Sequence, residues 1–121
     1  MPHEALDSVR RNALRSPDVV IGDRFGASAD PAVVDRIEAA FVAAGLSVIR
    51  NAPFAGAYVT QHYGRPSRRQ HAIQIEIDRA LYMDEARIEP RPDFDAFAEL
   101  IHGVIARIVQ IGSNELPLAA E

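Results

Sequence analysis

The chain has 121 residues, 48% of them hydrophobic and 25% charged, with a formal net charge of −4 and no cysteine. That length allows one domain or a piece of one, and the apolar share argues against wholesale disorder. The acidic balance implies no basic surface for nucleic acid, the lack of thiols excludes disulfides and thiolate metal sites, and no apolar run reaches the roughly 18–20 residues of a membrane span or forms a signal core.

Residues 1–16 are charged and mixed, with Ala5, Leu6 and Val9 as a short helical stripe. Val19, Val20 and Ile21 form a β-branched run between Pro17 and Gly22. Such a run reads as a buried strand of the parallel type, covered on both faces. A loop follows from Gly22 to Ser28. Asp30 and Pro31 then open a helix, the first as a cap and the second at the first helical position. Val33, Ile37, Phe41 and Ala44 recur at helical spacing beside Val34 and Ala40, and Gly45 is placed to end the helix in a left-handed conformation. Leu46 to Arg50 reads as a second strand. Strand, helix and strand at these lengths make a βαβ unit, so the two strands are expected to be parallel.

Asn51 to Gln70 shows no period and contains Pro53, Gly56, Gly64 and Pro66. A long loop in a compact domain is usually functional or disordered, and the rings of Phe54, Tyr58, His62 and Tyr63 argue for order. With Arg65, Arg68 and Arg69 beside those rings, the loop suits a small anionic molecule. The alternative is a surface loop that its rings merely anchor. In His71 to Asp78, Ile73, Ile75 and Ile77 point to one face, and Ala72, Gln74, Glu76 and Asp78 to the other. In a central strand the polar face would line a cleft; in an edge strand it would meet water. Arg79 to Glu85 leaves the strand as a turn or short helix. Asp93 is placed to cap a last helix whose stripe is Phe94, Phe97, Ile101, Val104, Ile108 and Ile111, widened by Leu100 and Ile105. That helix is expected to cover the sheet, with a frayed tail from Gly112 and Pro117 barring a helix there.

Three stretches together resemble one known family. Asn51 to Tyr58, then Tyr63 to Pro66, then His71 to Glu85 are similar to the N-x-P-F/Y-x-G-G-Y, H-Y-G-x-P and H-A-L-Q-I-E-I-N-R-x-L-Y-M elements of N-formylglutamate amidohydrolases. Pro17 to Ser28 is similar to their P-D-hydrophobic-G-D-R-x-G-T/A-S/T segment. Ala57 stands where the family has a second glycine, and Asp78 where it has asparagine. Ala57 matters only if its position needs a positive φ.

The resemblance implies an α/β fold: an α/β/α sandwich of the zinc-carboxypeptidase-like (phosphorylase/hydrolase-like) type, with the βαβ unit and C-terminal helix as a truncated part of it. It implies zinc-dependent hydrolysis of the formamide of N-formyl-L-glutamate in histidine degradation. The family's metal ligands lie in H-S-G and D-C-H-S-M-P elements that this sequence lacks, and Met1-Pro2 falls where the M-P of the latter would stand. The expectation is therefore a single domain over 1–121 that is the C-terminal portion of a larger catalytic domain, with no zinc bound by this chain alone and no activity alone. His3, His62, His71 and His102 do not make a new metal site.

Glu76 matches the family's general base; without the resemblance the strand pattern favours a solvated edge glutamate. Gln74, on the same face, would orient Glu76 or contact substrate. The resemblance assigns substrate binding to Tyr58, Thr60, Tyr63 and Arg65, with Arg65 the first choice for a substrate carboxylate because a guanidinium matches it bidentately. The expected partners are a small anionic substrate, N-formyl-L-glutamate or a similar N-acyl amino acid, and neither nucleic acid nor membrane; self-association through exposed sheet surface is a further expectation. The expected compartment is the cytoplasm. A non-catalytic anion-binding or interaction module derived from the family is the alternative.

Overall fold

The computed structural model describes residues 1–10 and 15–115. A 3₁₀ turn over His3–Leu6 runs into the single-turn helix α1 (Asp7–Arg10), and of the short N-terminal stripe Leu6 is fully buried. The run at Val19 becomes β1 (Val19–Gly22), buried along its length. Helix α2 (Pro31–Ala43) follows, with Pro31 in its first turn. Asp30 sits at its N-cap, but its carboxylate makes no capping bond. The expected cap fails because the residue is turned toward a ring: its N–H donates to His71 Nδ1 at 3.1 Å, and its carboxylate lies 4.0 Å from Nε2. Gly45 ends the helix at a φ of 86°, as expected.

β2 (Val48–Arg50) follows. The stretch read as a loop contains a helix, α3 (Tyr58–Tyr63), too short for a period to show, and a 3₁₀ turn over Pro66–Arg68. β3 (Gln74–Ile77) is the third strand. A 3₁₀ turn at Arg79–Leu81 is capped by Asp78, whose Oδ1 accepts the Ala80 N–H at 3.0 Å. A two-residue ribbon, β4 (Met83–Asp84) against β5 (Glu89–Pro90), is too short for its alternation to be seen in sequence.

Helix α4 (Phe94–Glu115) runs past Gly112, where a frayed end was expected. A mid-helix glycine costs about 1 kcal/mol, and the packing of Ile108 and Ile111 against the core offsets it. Pro117 lies outside the described residues. The Asp93 carboxylate is taken by Arg91 Nε at 3.0 Å. Val104 is buried, and Ile101, Ile108 and Ile111 are partly so, whereas Leu100 and Ile105 are exposed and do not widen the buried stripe. Phe94 and Phe97 pack on the ring of Tyr82, with centroids 6.1 and 5.9 Å apart.

The three longer strands form one mixed sheet in the order β2-β1-β3. β1 is parallel to β2, with Val19 opposite Val48, which completes the βαβ unit. It is antiparallel to β3, with Val20 opposite Glu76 and Gly22 opposite Gln74. Val19 and Ile21 face α2 and α4 and form the core with Val33, Val34, Ile37, Ala40 and Phe41. Each valine, isoleucine or phenylalanine of this set contributes about 1.5–3 kcal/mol on burial. Ile73, Ile75 and Ile77 flank this core on the same face. Val20 points the other way and is equally buried. Because Val20 and Glu76 are cross-strand partners, Glu76 shares that second face, and Gln74 with it.

Among the described residues β3 ends the sheet, so the edge reading holds. Its outer side is nevertheless touched. The Met1 amino group donates to the Ile77 carbonyl at 2.8 Å, and the Met1 carbonyl accepts the Arg79 N–H at 2.8 Å. That is the bonding pattern of a one-residue parallel bridge to Asp78.

Candidate functional site

Two loops leave the sheet at the carboxyl ends of the parallel strands β1 and β2, where α/β sheets form their clefts. They are laced together. The Asp23 N–H donates to Asn51 Oδ1 at 3.1 Å, and Asn51 Nδ2 donates back to Asp23 Oδ1 at 2.8 Å. The Arg24 N–H donates to the Ala55 carbonyl at 2.8 Å. The approach is so close that a Cβ on Gly22 would stand 2.6 Å from the Ala55 carbonyl carbon. Arg24, Phe25 and Asn51 all hold left-handed backbone, at φ 54°, 55° and 62°. Such conformations are uncommon outside glycine and persist only where neighbouring bonds over-determine them. Ala57 has a φ of −118°, so the alanine in place of the family's second glycine is unstrained; it is Gly56 that needs the positive angle, at 115°.

A relay of hydrogen bonds joins this loop pair to β3. The Ala57 N–H donates to Gln74 Oε1 at 3.0 Å, and Gln74 Nε2 donates to Glu76 Oε1 at 3.0 Å. The amide thereby fixes one carboxylate oxygen and leaves the other, Oε2, 3.7 Å from the Met1 amino group. The Glu76 side chain is 30% exposed, so its carboxylate is open to water.

The other candidates lie on and around α3. Tyr58 and Tyr63 are exposed, and His62 stacks on Tyr58 at 5.1 Å and meets Tyr63 edge-on at 4.7 Å. The ring cluster therefore stands at the surface, joined to the Glu76 side through Ala57. Thr60 is buried, and its hydroxyl donates to the Ala57 carbonyl at 2.8 Å, holding the first turn of the helix. Arg65 Nη1 donates to the carbonyls of Gln61 at 3.0 Å and Gly64 at 2.7 Å. Two cavities, of about 350 and 640 Å³, lie on the helical face; the first is lined by Ile77, Tyr82 and Phe97, the second by Val33, Arg69 and Ile75, and neither is lined by Glu76.

Just beyond β3, Asp78 accepts from His3 Nδ1 at 2.6 Å. Glu85 accepts from Arg79 Nη2 at 3.0 Å and from the His3 N–H at 3.1 Å. Partial burial pushes the Glu85 carboxyl up, but the hydrogen bonds from Arg79 and His3 outweigh it and hold the group below its ordinary value. The resemblance implies zinc, yet among the described residues no three His, Cys, Asp or Glu side chains stand together as a metal site. The described donor set does not fit the ion. No helix among the described residues is long and apolar enough to cross a membrane.

The sequence profile of N-formylglutamate amidohydrolases matches residues 1–83, which covers the laced loops, the relay and β3. The chain belongs to the N-formylglutamate amidohydrolase family. It is 41% identical over 98 residues to the N-formylglutamate deformylase of Pseudomonas aeruginosa, covering 79% of this chain and 36% of that protein. It is 34% identical over 95 residues to the N-formylglutamate deformylase of Pseudomonas putida, covering 78% and 35%. The chain thus spans about a third of the length of these relatives. The crystal structure of the N-formylglutamate amidohydrolase from Ralstonia eutropha JMP134 superposes with a TM-score of 0.76 at 33% identity, over 94% of this chain and 40% of that one. Members of the family are named as hydrolases, and the mixed α/β architecture is common to both structures.

Sequence reading passed over Arg24 and the Asp23–Asn51 lacing. The signal was present in the Gly22-Asp23-Arg24 run directly after a buried strand, which is where site loops of α/β proteins begin.

Proposed function

We propose that this chain forms the base-and-loop side of a formamide hydrolase site, within an α/β/α sandwich of the zinc-carboxypeptidase type. The reaction is hydrolysis of N-formyl-L-glutamate to formate and L-glutamate, in histidine degradation in the cytoplasm. The observation that carries the reading is the relay Ala57–Gln74–Glu76, which ties the loop that would cover substrate to a half-exposed carboxylate. Glu76 takes a proton from the attacking water and returns it to the departing nitrogen, a role worth about 10²–10⁴-fold. Gln74 keeps the Glu76 carboxylate oriented, and Tyr58 and Tyr63 close over the bound molecule.

The zinc donors of the family are not among the described residues, so no step above runs through the ion, and the chain by itself does not turn over. Among the described residues no strand pairs with the outer side of β3, which supports self-association of the isolated chain. The exposed rings of α3, with no metal cluster among the described residues, favour a second reading, a non-catalytic module that binds small anions or another protein.

Formate release tests this directly. The 121-residue chain should release none from N-formyl-L-glutamate. The same chain, joined at Met1 to the part of the Pseudomonas aeruginosa deformylase that precedes the matched stretch, should release it with bound zinc. A joined protein that binds zinc and N-formyl-L-glutamate without turnover would favour the second reading.

A further inference from the structure

We infer that Arg24 is the residue that takes a carboxylate of the substrate. This rests on the reading of the Glu76 face as the substrate side, and it moves the recognition of charge from the α3 loop to the loop after β1.

Arg65 matches a carboxylate in chemistry, but its Nη1 is already given to the Gln61 and Gly64 carbonyls. Those bonds brace the end of α3, so recruiting the group for a ligand would loosen the helix it supports. Arg69 lines the cavity on the helical face, across the sheet from Glu76. Arg68 is exposed in the turn beyond α3. Arg24 differs from all three. It is half-buried, and no described residue gives its guanidinium a hydrogen bond or ion pair. A cation held partly out of water without a counter-charge is costly, and a bound carboxylate is the group that would relieve it.

The backbone supplies the second argument. Arg24 is held in left-handed conformation at φ 54°. Its N–H is fixed by Ala55, and the preceding residue is locked by Asn51. The side chain is therefore launched from one defined point at the carboxyl end of β1. Val20 lies opposite Glu76, and Arg24 is four residues farther along. Four residues of strand span at most about 13 Å. An extended arginine side chain and a molecule the size of an N-acyl amino acid fill that distance between them. The same two loops that position Arg24 also position Ala57, and through Gln74 they position Glu76. Charge recognition and base would then share one rigid frame.

The test is a titration of the 121-residue chain with N-formyl-L-glutamate, followed by the arginine Nε signals in ¹⁵N NMR and by calorimetry. Two variants accompany it: Arg24→Asn, whose side chain tolerates left-handed backbone, and Arg24→Lys, which keeps the charge but not the bidentate fork. The expected result is saturable movement of the Arg24 Nε signal, affinity about 10- to 100-fold weaker in Arg24→Asn, an intermediate loss in Arg24→Lys, and little change in Arg65→Gln. Full affinity in Arg24→Asn with loss in Arg65→Gln would overturn the inference and leave the substrate-side reading intact. No binding by the unmodified chain would overturn both.

Discussion

The two faces of the sheet are built by different means. On the helical face, Val19 and Ile21 meet α2 and α4 in a continuous apolar layer, and most of its members sit at helical or strand period. On the other face, Val20 is buried as deeply, but its cross-strand neighbour Glu76 is held by a side-chain relay that no period announces. The first face stores stability, and the second spends strained backbone and half-buried polar groups on geometry. Substitutions on the helical face should act on unfolding, and those on the other face on local order and chemistry.

The largest effect on unfolding is expected from Phe41→Ala. Phe41 is fully buried between α2 and the sheet, and the cavity should cost about 3–5 kcal/mol. Denaturant melts should show a large loss or no cooperative transition; a loss under 1 kcal/mol would mean that the helical face is not the source of stability. Gly22→Ala comes next, because its Cβ would stand 2.6 Å from the Ala55 backbone. Overpacking of this kind costs about 1–3 kcal/mol, and hydrogen exchange should speed up at Arg24 and Asp23 first. Equal protection in the variant would show that the two loops are not packed as described.

Gln74→Ala removes both bonds of the relay at a partly exposed site. It should cost about 0.5–1.5 kcal/mol in unfolding while raising exchange at the Ala57 N–H well above that of α2. Uniform change over the chain would break the distinction between the faces. The smallest expected effect is on pH. Glu85 has a folded pKa below its ordinary value of 4.5. Its contribution is therefore fully present above that value and is lost as pH falls through the folded pKa. Glu85→Gln should flatten the acid limb of the melting curve slightly and leave neutral pH alone. A variant acid limb that superposes on the parent would remove Glu85 from the account.

What was legible in sequence divides along the same line. The βαβ unit, the isoleucine face of β3 and the stop at Gly45 were all readable, because burial imposes period and a left-handed stop needs glycine. Asp30 was misread as a side-chain cap because the ring that diverts it, His71, is distant in sequence. The helix α3 and the β4–β5 ribbon escaped because so few residues carry no measurable period. At the site, the chemical character of Glu76 needed the family resemblance, since the strand pattern alone fits a solvated edge glutamate. The grip of Gln74 on Ala57 joins residues 17 apart in sequence through one amide group, and residue type alone cannot specify such a bond.

The central claim is that Glu76 is the base of this site. It is tested most directly by the rate of formate release from the joined, zinc-loaded protein carrying Glu76→Gln. The account predicts a fall in kcat of about 10²–10⁴-fold, with zinc content and exchange protection in β3 unchanged. A variant that keeps its rate within about threefold, far inside the range expected for loss of a general base, would contradict it.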